Sequence, residues 1–170
     1  KTEMWYVVDC EEGAYLYYGF NREVSKEEFA ERIKNNTLLE VLNPVKVKKG
    51  DVLFIESGTI HAIGKNILIA EIQQNSNVTY RVYDYGRIGK DGKPRELHVE
   101  KALEVTRREP VRPREDCAPH VAACDYFVVD KLSAKNEKLT GFVGEESFKS
   151  ILVMEGEGEI VNGDEKMSFK

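Results

Sequence analysis

Hydrophobic positions in the first twenty residues come in two short bursts separated by a polar turn. Met4-Trp-Tyr-Val-Val8 is aromatic and β-branched, and Ala14-Tyr-Leu-Tyr-Tyr-Gly-Phe20 repeats that character after Gly13, so both segments read as strands. The spacing then changes. Ser25 is followed three residues later by Glu28, the capping-box arrangement that satisfies orphan amide donors at a helix start. Phe29 and Ile33, with Leu38 beyond, fall on one side of a helical period, which predicts an amphipathic helix from Ser25 to about Asn35. Asn35-Asn36 marks its end.

Past Pro44 the period returns to two. Val45-Lys-Val-Lys48 alternates, Lys49-Gly50-Asp51 turns, and Val52-Leu-Phe-Ile55 continues as a buried strand before a second turn at Ser57-Gly58-Thr59. Residues 67–74 and 77–83 read as further strands, broken at Asn75-Ser76, and residues 96–105 as a strand followed by a short helix or as neither. Short strands separated by turn residues indicate a sandwich or barrel. Pro110, Pro113 and Pro119 with several charges make residues 107–119 the best linker. Beyond it, residues 126–129, 148–154 and 156–160 and the Asn162-Gly163 hairpin signal repeat the β pattern. The expected organisation is a mainly β domain over residues 1–106 with a helix near 25–36, a linker at 107–119, and the start of a second β unit over 120–170.

Composition narrows the function classes. The 170 residues are 41% hydrophobic and 32% charged, enough to bury a core and unlike a disordered chain. A net charge of −5 offers no basic footprint for neutralising phosphates, so no nucleic-acid partner is expected. The basic clusters at residues 46–49 and 107–114 read as solvated loops. No apolar run approaches the roughly 18 residues of a membrane span, so no membrane partner is expected either. Three cysteines, Cys10, Cys117 and Cys124, cannot all pair with one another, which favours reduced thiols and a cytoplasmic location. The chain opens without Met on a strand and closes on Glu165-Lys-Met-Ser-Phe-Lys170, the outgoing half of a hairpin, so it is expected to be an excerpt of a longer protein.

One segment carries chemistry. Gly50, Gly58 and His61 stand at the spacing of the second cupin motif, although Glu56 occupies the usual proline position and Asn66 falls one residue late. By itself a histidine after a turn is equally a satisfied core or surface residue. The flanks decide the matter. Lys1-Thr-Glu3-Met-Trp-Tyr, Gly-Thr-Ile-His61-Ala-Ile-Gly and Glu71-Ile-Gln-Gln-Asn-Ser-Asn-Val-Thr-Tyr-Arg81-Val-Tyr-Asp-Tyr-Gly-Arg87 together resemble the type I mannose-6-phosphate isomerase family in its bacterial branch. The resemblance implies a cupin-type jelly roll or β-sandwich with a short helical insertion, followed by part of a second, metal-free cupin-like unit. It implies one Zn2+ per active site, held through Glu3 and His61, with a Gln-x-His pair that would fall before Lys1. Two protein donors hold zinc poorly, so weak metal binding is expected of the excerpt alone.

The same resemblance assigns Glu71 and Arg81 to catalysis, and Lys1 and Arg81 to binding a small sugar phosphate. The implied reaction interconverts mannose 6-phosphate and fructose 6-phosphate through a cis-enediol, with either Glu71 or a zinc-associated water moving the proton. Alternation puts Glu71 on the face of Ile69, which favours an inward carboxylate; as a plain ion pair, Glu71 and Arg81 would contribute little. Arg87 receives no chemical role. Cys117, His120 and Cys124 supply three possible ligands without a fourth nearby and are not read as a zinc site. A non-catalytic sugar-binding or regulatory cupin derived from the isomerase is the alternative. An iron oxygenase would need a histidine-containing pair ahead of His61, and the other histidines, His98 and His120, both follow it. The oligomeric state is not legible.

Overall fold

Alternation along the first strand sorts its side chains onto two faces, and the fold is built on that sorting. The computed structural model describes residues 1–170 apart from Gly86 and Glu115, so Gly86 of the Tyr-Asp-Tyr-Gly-Arg87 motif lies outside the described residues. In chain order come β1 (Glu3–Cys10), β2 (Tyr15–Phe20), α1 (Lys26–Lys34), a 3-10 turn (Leu38–Val41), β3 (Leu42–Lys46) and β4 (Val52–Ile55). Then follow β5 (His61–Ala62), β6 (Ile67–Gln73), α2 (Val99–Val105), β7 (Ala122–Ala123) and β8 (Val128–Val129). One antiparallel sheet has the order β4-β1-β6 and a second the order β3-β2-β5.

Trp5 and Val7 from β1 and Leu53 and Ile55 from β4 meet Leu16 from β2 and Val47, forming the core between the sheets. Leu16 and Val7 are fully buried, and each such side chain contributes about 1.5–3 kcal/mol. The opposite face of β1 presents Met4 and Tyr6, which pack with Ala70 and Ala122 under the small β7–β8 pair. At the edge, the Tyr18 hydroxyl donates to the Phe54 carbonyl and ties β2 to β4. The register of β1 against β6 shifts between Val7 and Asp9, resetting the alternation beyond that point.

Half of the capping box forms. Ser25 Oγ accepts from the Glu28 amide at 3.0 Å, while the Glu28 carboxylate takes Arg22 and Arg32 instead of the Ser25 amide, and α1 ends at Lys34 with Asn35 as its cap. Phe29 is buried edge-on against Phe20, and Leu38 joins the same cluster from the 3-10 turn. β3 starts two residues before Pro44. It is an edge strand, where a missing amide donor is tolerated. The chain divides into two compact units, Lys1–Lys131 and Leu132–Lys170. Residues 107–119, expected as a linker, lie within the first: the Arg107 amide donates to the Gly58 carbonyl at 2.9 Å, and Arg114 stacks over the Phe54 ring.

Three strand expectations need correction. Residues 77–83 form no strand: the β1–β6 ladder stops at Gln73, and Val82 and Tyr83 use their side chains to cover the Phe20–Phe29 cluster instead. Residues 126–129 pair only at Val128–Val129. Residues 148–154 are not a strand; Phe148, Ile151 and Leu152 are exposed, and no partner strand lies alongside them among the described residues of the second unit. The residues left open at 96–105 resolve into α2. Within the second unit, β9 (Gly158–Asn162) and β10 (Glu165–Phe169) make the expected hairpin, with Gly163-Asp164 as its loop. Gly163 has φ of 59°, a conformation that such two-residue loops require. The mainly β sandwich with a short helical insertion is therefore what forms. No helix among the described residues is long and apolar enough to cross a membrane.

Candidate functional site

The inner face of β1 begins with a carboxylate. Glu3 lies in register between Ile55 of β4 and Gln73 of β6, on the same face as Trp5 and Val7, and is only 2% exposed. A carboxylate so covered is costly unless it has a strong partner. The partner is His61, whose Nε2 lies 2.6 Å from Glu3 Oε1.

The hairpin before β5 aims that imidazole. The Thr59 amide donates to the Glu56 carbonyl at 3.0 Å, closing a turn in which Gly58 has φ of +90°. A Cβ on Gly58 would also meet the Val105 carbonyl at 2.7 Å, so glycine is required twice over. β5 then pairs with β2 at Tyr18 and Tyr17, fixing the His61 backbone. The Nδ1 of His61 donates to the Thr59 carbonyl at 2.8 Å, since that oxygen can only accept. This leaves Nε2 as the nitrogen that faces Glu3.

A lone pair on Nε2 at 2.6 Å from a carboxylate oxygen has room for a proton between them; a metal ion, with a bond of about 2.0 Å to each, would require the two atoms to move apart. An imidazole whose Nδ1–H is fixed by a backbone carbonyl is also how metal-bound histidines are oriented, the other nitrogen being left for the metal. The pair fits a divalent cation in donor type and direction. Among the described residues no group of three His, Cys, Asp or Glu side chains converges, so Glu3 and His61 would give only two of the three or four donors that a tetrahedral site takes.

Glu71 stands directly opposite Trp5 in the β1–β6 register, which puts it on the inner face beside Ile69 as alternation indicates. It is nevertheless exposed to solvent at the rim. Its Oε2 accepts from the Trp5 indole Nε1 at 2.7 Å. The Trp5 ring in turn meets the His61 ring edge-on, with centroids 5.2 Å apart. Trp5, a residue that sequence reasoning missed, thus touches both Glu71 and His61, and His61 in turn faces Glu3. Its signal was available: two positions after Glu3 on an alternating strand, Trp5 must share its face.

Arg81 and Lys1 are held elsewhere. Lys1 Nζ donates to the Ser76 carbonyl at 3.4 Å. Arg81 Nε lies 3.9 Å from Asp84 Oδ1, and its amide donates to His98 Nδ1 at 3.2 Å while its carbonyl accepts from the His98 amide at 2.7 Å. No ion pair or hydrogen bond joins either residue to Glu3, His61 or Glu71 among the described residues. Asp84 accepts from the Arg95 guanidinium, which holds its carboxyl below the usual range, with Arg81 and Arg87 adding to the effect. Sequence reasoning also missed Asp84 and His98.

No protein-family model matches the chain. It is 40% identical over a 180-residue alignment to the mannose-6-phosphate isomerase ManA of Bacillus subtilis, covering 100% of the chain and 56% of that protein. The mannose-6-phosphate isomerase of Streptococcus mutans is 46% identical over 105 residues, which cover 62% of the chain and 33% of that protein. A crystal structure of the Bacillus subtilis mannose 6-phosphate isomerase superposes with a TM-score of 0.67 at 38% identity, over 75% of the chain and 43% of its own. The chain spans about half the length of the curated relatives it matches over most of its own length. The resemblance carried by the Glu3, His61 and Arg81 segments therefore extends over the whole sequence, and the chain is a relative of the mannose-6-phosphate isomerases.

Proposed function

We propose that the protein carrying this chain is a zinc-dependent aldose–ketose isomerase that interconverts mannose 6-phosphate and fructose 6-phosphate through a cis-enediol. The single observation that carries the reading is the buried Glu3 carboxylate facing His61 Nε2 at 2.6 Å, with Glu71 a few residues along the same inner face. The names of the relatives supply the substrate class.

Moving hydrogen between C1 and C2 of a sugar requires a group that takes and returns a proton and a positive charge near the oxygen that becomes electron-rich. Glu3 and His61 would hold Zn2+, which when bound supplies Lewis acidity and orients the sugar oxygens. Glu71 is the proton carrier: it stands on the inner face of β6 and is open to solvent, with which it can exchange the proton. Arg81 carries a fixed positive charge suited to the enediolate or the phosphate. Lys1, two residues from Glu3, would contact substrate oxygens. The cytoplasm is the location that fits a reaction on a free sugar phosphate.

The test is a coupled assay of fructose 6-phosphate formation from mannose 6-phosphate by the full protein, before and after chelation. Turnover that disappears with chelator and returns with zinc supports the proposal. Binding of the sugar phosphate without turnover in the zinc-loaded protein favours a non-catalytic sugar-binding cupin instead.

A further inference from the structure

The two functional carboxylates and the histidine all touch or neighbour one side chain that the proposed chemistry does not use. Trp5 is 4% exposed, sits two residues from Glu3 on the same face of β1, and lies opposite Glu71 in register. Its indole N–H is donor-only and points in one direction once the ring is packed. That direction is Glu71 Oε2, 2.7 Å away. Glu71 is otherwise a flexible, solvent-facing side chain, and no other hydrogen-bond donor holds it among the described residues. The edge of the same ring abuts His61 at 5.2 Å and 84° between planes.

We infer that Trp5 is the positioning residue of this site: its indole N–H fixes the Glu71 carboxylate, and its ring seats the His61 imidazole. One packed side chain thereby registers the proton-handling group against the metal-facing pair. The inference rests on the reading that Glu71 handles the proton. It also explains why an aromatic ring with a polar edge, rather than another aliphatic, occupies a core position of β1 next to Glu3. Leucine or phenylalanine would fill the space and leave Glu71 free to turn toward water.

Trp5 is the one tryptophan of these 170 residues, and its indole N–H reports on the contact directly. In the full protein labelled with 15N-tryptophan, the Trp5 indole N–H resonance, assigned through its own backbone, should lie downfield and move upfield in Glu71→Ala, a readout independent of turnover. Trp5→Phe keeps the ring and drops the donor. It should lower kcat by about 10- to 100-fold, leave KM and zinc content little changed, and make Glu71→Ala cost far less in its background than in the parent. An indole resonance unmoved by Glu71→Ala overturns the inference. So does a folded Trp5→Phe protein with parental kcat, or two substitutions whose effects simply multiply. If Glu71→Ala alone leaves kcat intact, it is the proton role of Glu71 that fails, and the functional part of the inference falls with it. If Trp5→Phe does not fold, the resonance in Glu71→Ala still decides the contact.

Discussion

Glu3 and Arg81 are both charged side chains assigned to one chemistry, yet the protein holds them in opposite ways. Glu3 begins the central strand of a sheet and is almost wholly buried, its backbone paired on both sides and its carboxylate against a histidine that a tight turn aims. Arg81 lies in a stretch with no ladder. Its backbone is held by the ring and amide of His98, and its guanidinium is steered by Asp84, whose two carboxylate oxygens Arg95 also grips. The strand-borne half is rigid because many neighbours fix it, and it carries the cost of a buried charge. The loop-borne half costs little and rests on a few polar contacts near the surface, where single ion pairs contribute weakly. A cation site needs the first kind of support. A residue that meets a substrate arriving from solvent works with the second.

The sharpest way to break this contrast is to remove His61. His61→Ala leaves the Glu3 carboxylate buried without its partner, so unfolding should require less denaturant by about 3 kcal/mol, and the proposed zinc affinity should vanish. Unchanged denaturant stability would mean that the pair is not the buried support described. Arg81→Ala should behave in the reverse manner. Turnover in the full protein should fall by on the order of 10²- to 10³-fold while zinc content and melting temperature stay as they were. A loss of zinc would show that the two halves are not separable.

Next in size is the turn that aims His61. Gly58→Ala forces a side chain into a left-handed conformation and against the Val105 carbonyl, and should destabilise by about 1–3 kcal/mol in chemical denaturation. A neutral result there would shift the aiming of His61 from the turn to the β5 pairing alone. The smallest effect belongs to the exposed ion pairs. The Arg22 guanidinium, then Arg32, hold the Glu28 carboxyl at about 2, below its ordinary 4.5. A carboxyl lowered on folding stabilises the protein above its unfolded value and loses that contribution as pH falls toward the folded one. The stability difference between the parent and Glu28→Gln should therefore be constant above pH 4.5, shrink between 4.5 and 2, and be small throughout. A difference that grew on acidification would contradict the assignment.

The contrast also explains what was legible in the sequence. His61 was marked by its spacing after Gly50 and Gly58, and the period of two placed Glu71 on the face of Ile69. The helix was equally legible, because Ser25 and Glu28 form a local signal that needs no distant partner. Residues 77–83 have the composition of a strand, but a strand also needs a neighbour, and composition does not report that the β1–β6 ladder ends at Gln73. The same holds for residues 148–154. Arg81, like Glu3 and Glu71, was singled out through family resemblance, while Asp84 and His98 escaped, since nothing local says that a side chain seventeen residues away will accept the Arg81 amide. Trp5 was overlooked for another reason: a tryptophan on a buried strand looks like core, and only the register shows what its N–H meets.

The most direct test of Glu3 and His61 as metal ligands is anomalous diffraction at the zinc edge from crystals of the full, active protein. A single strong peak between Glu3 Oε1 and His61 Nε2, with the two atoms drawn apart to bond it and His61 Nδ1 still on the Thr59 carbonyl, is the predicted result. An active protein whose only zinc lies elsewhere, with Glu3 and His61 still in direct hydrogen-bond contact, would contradict it.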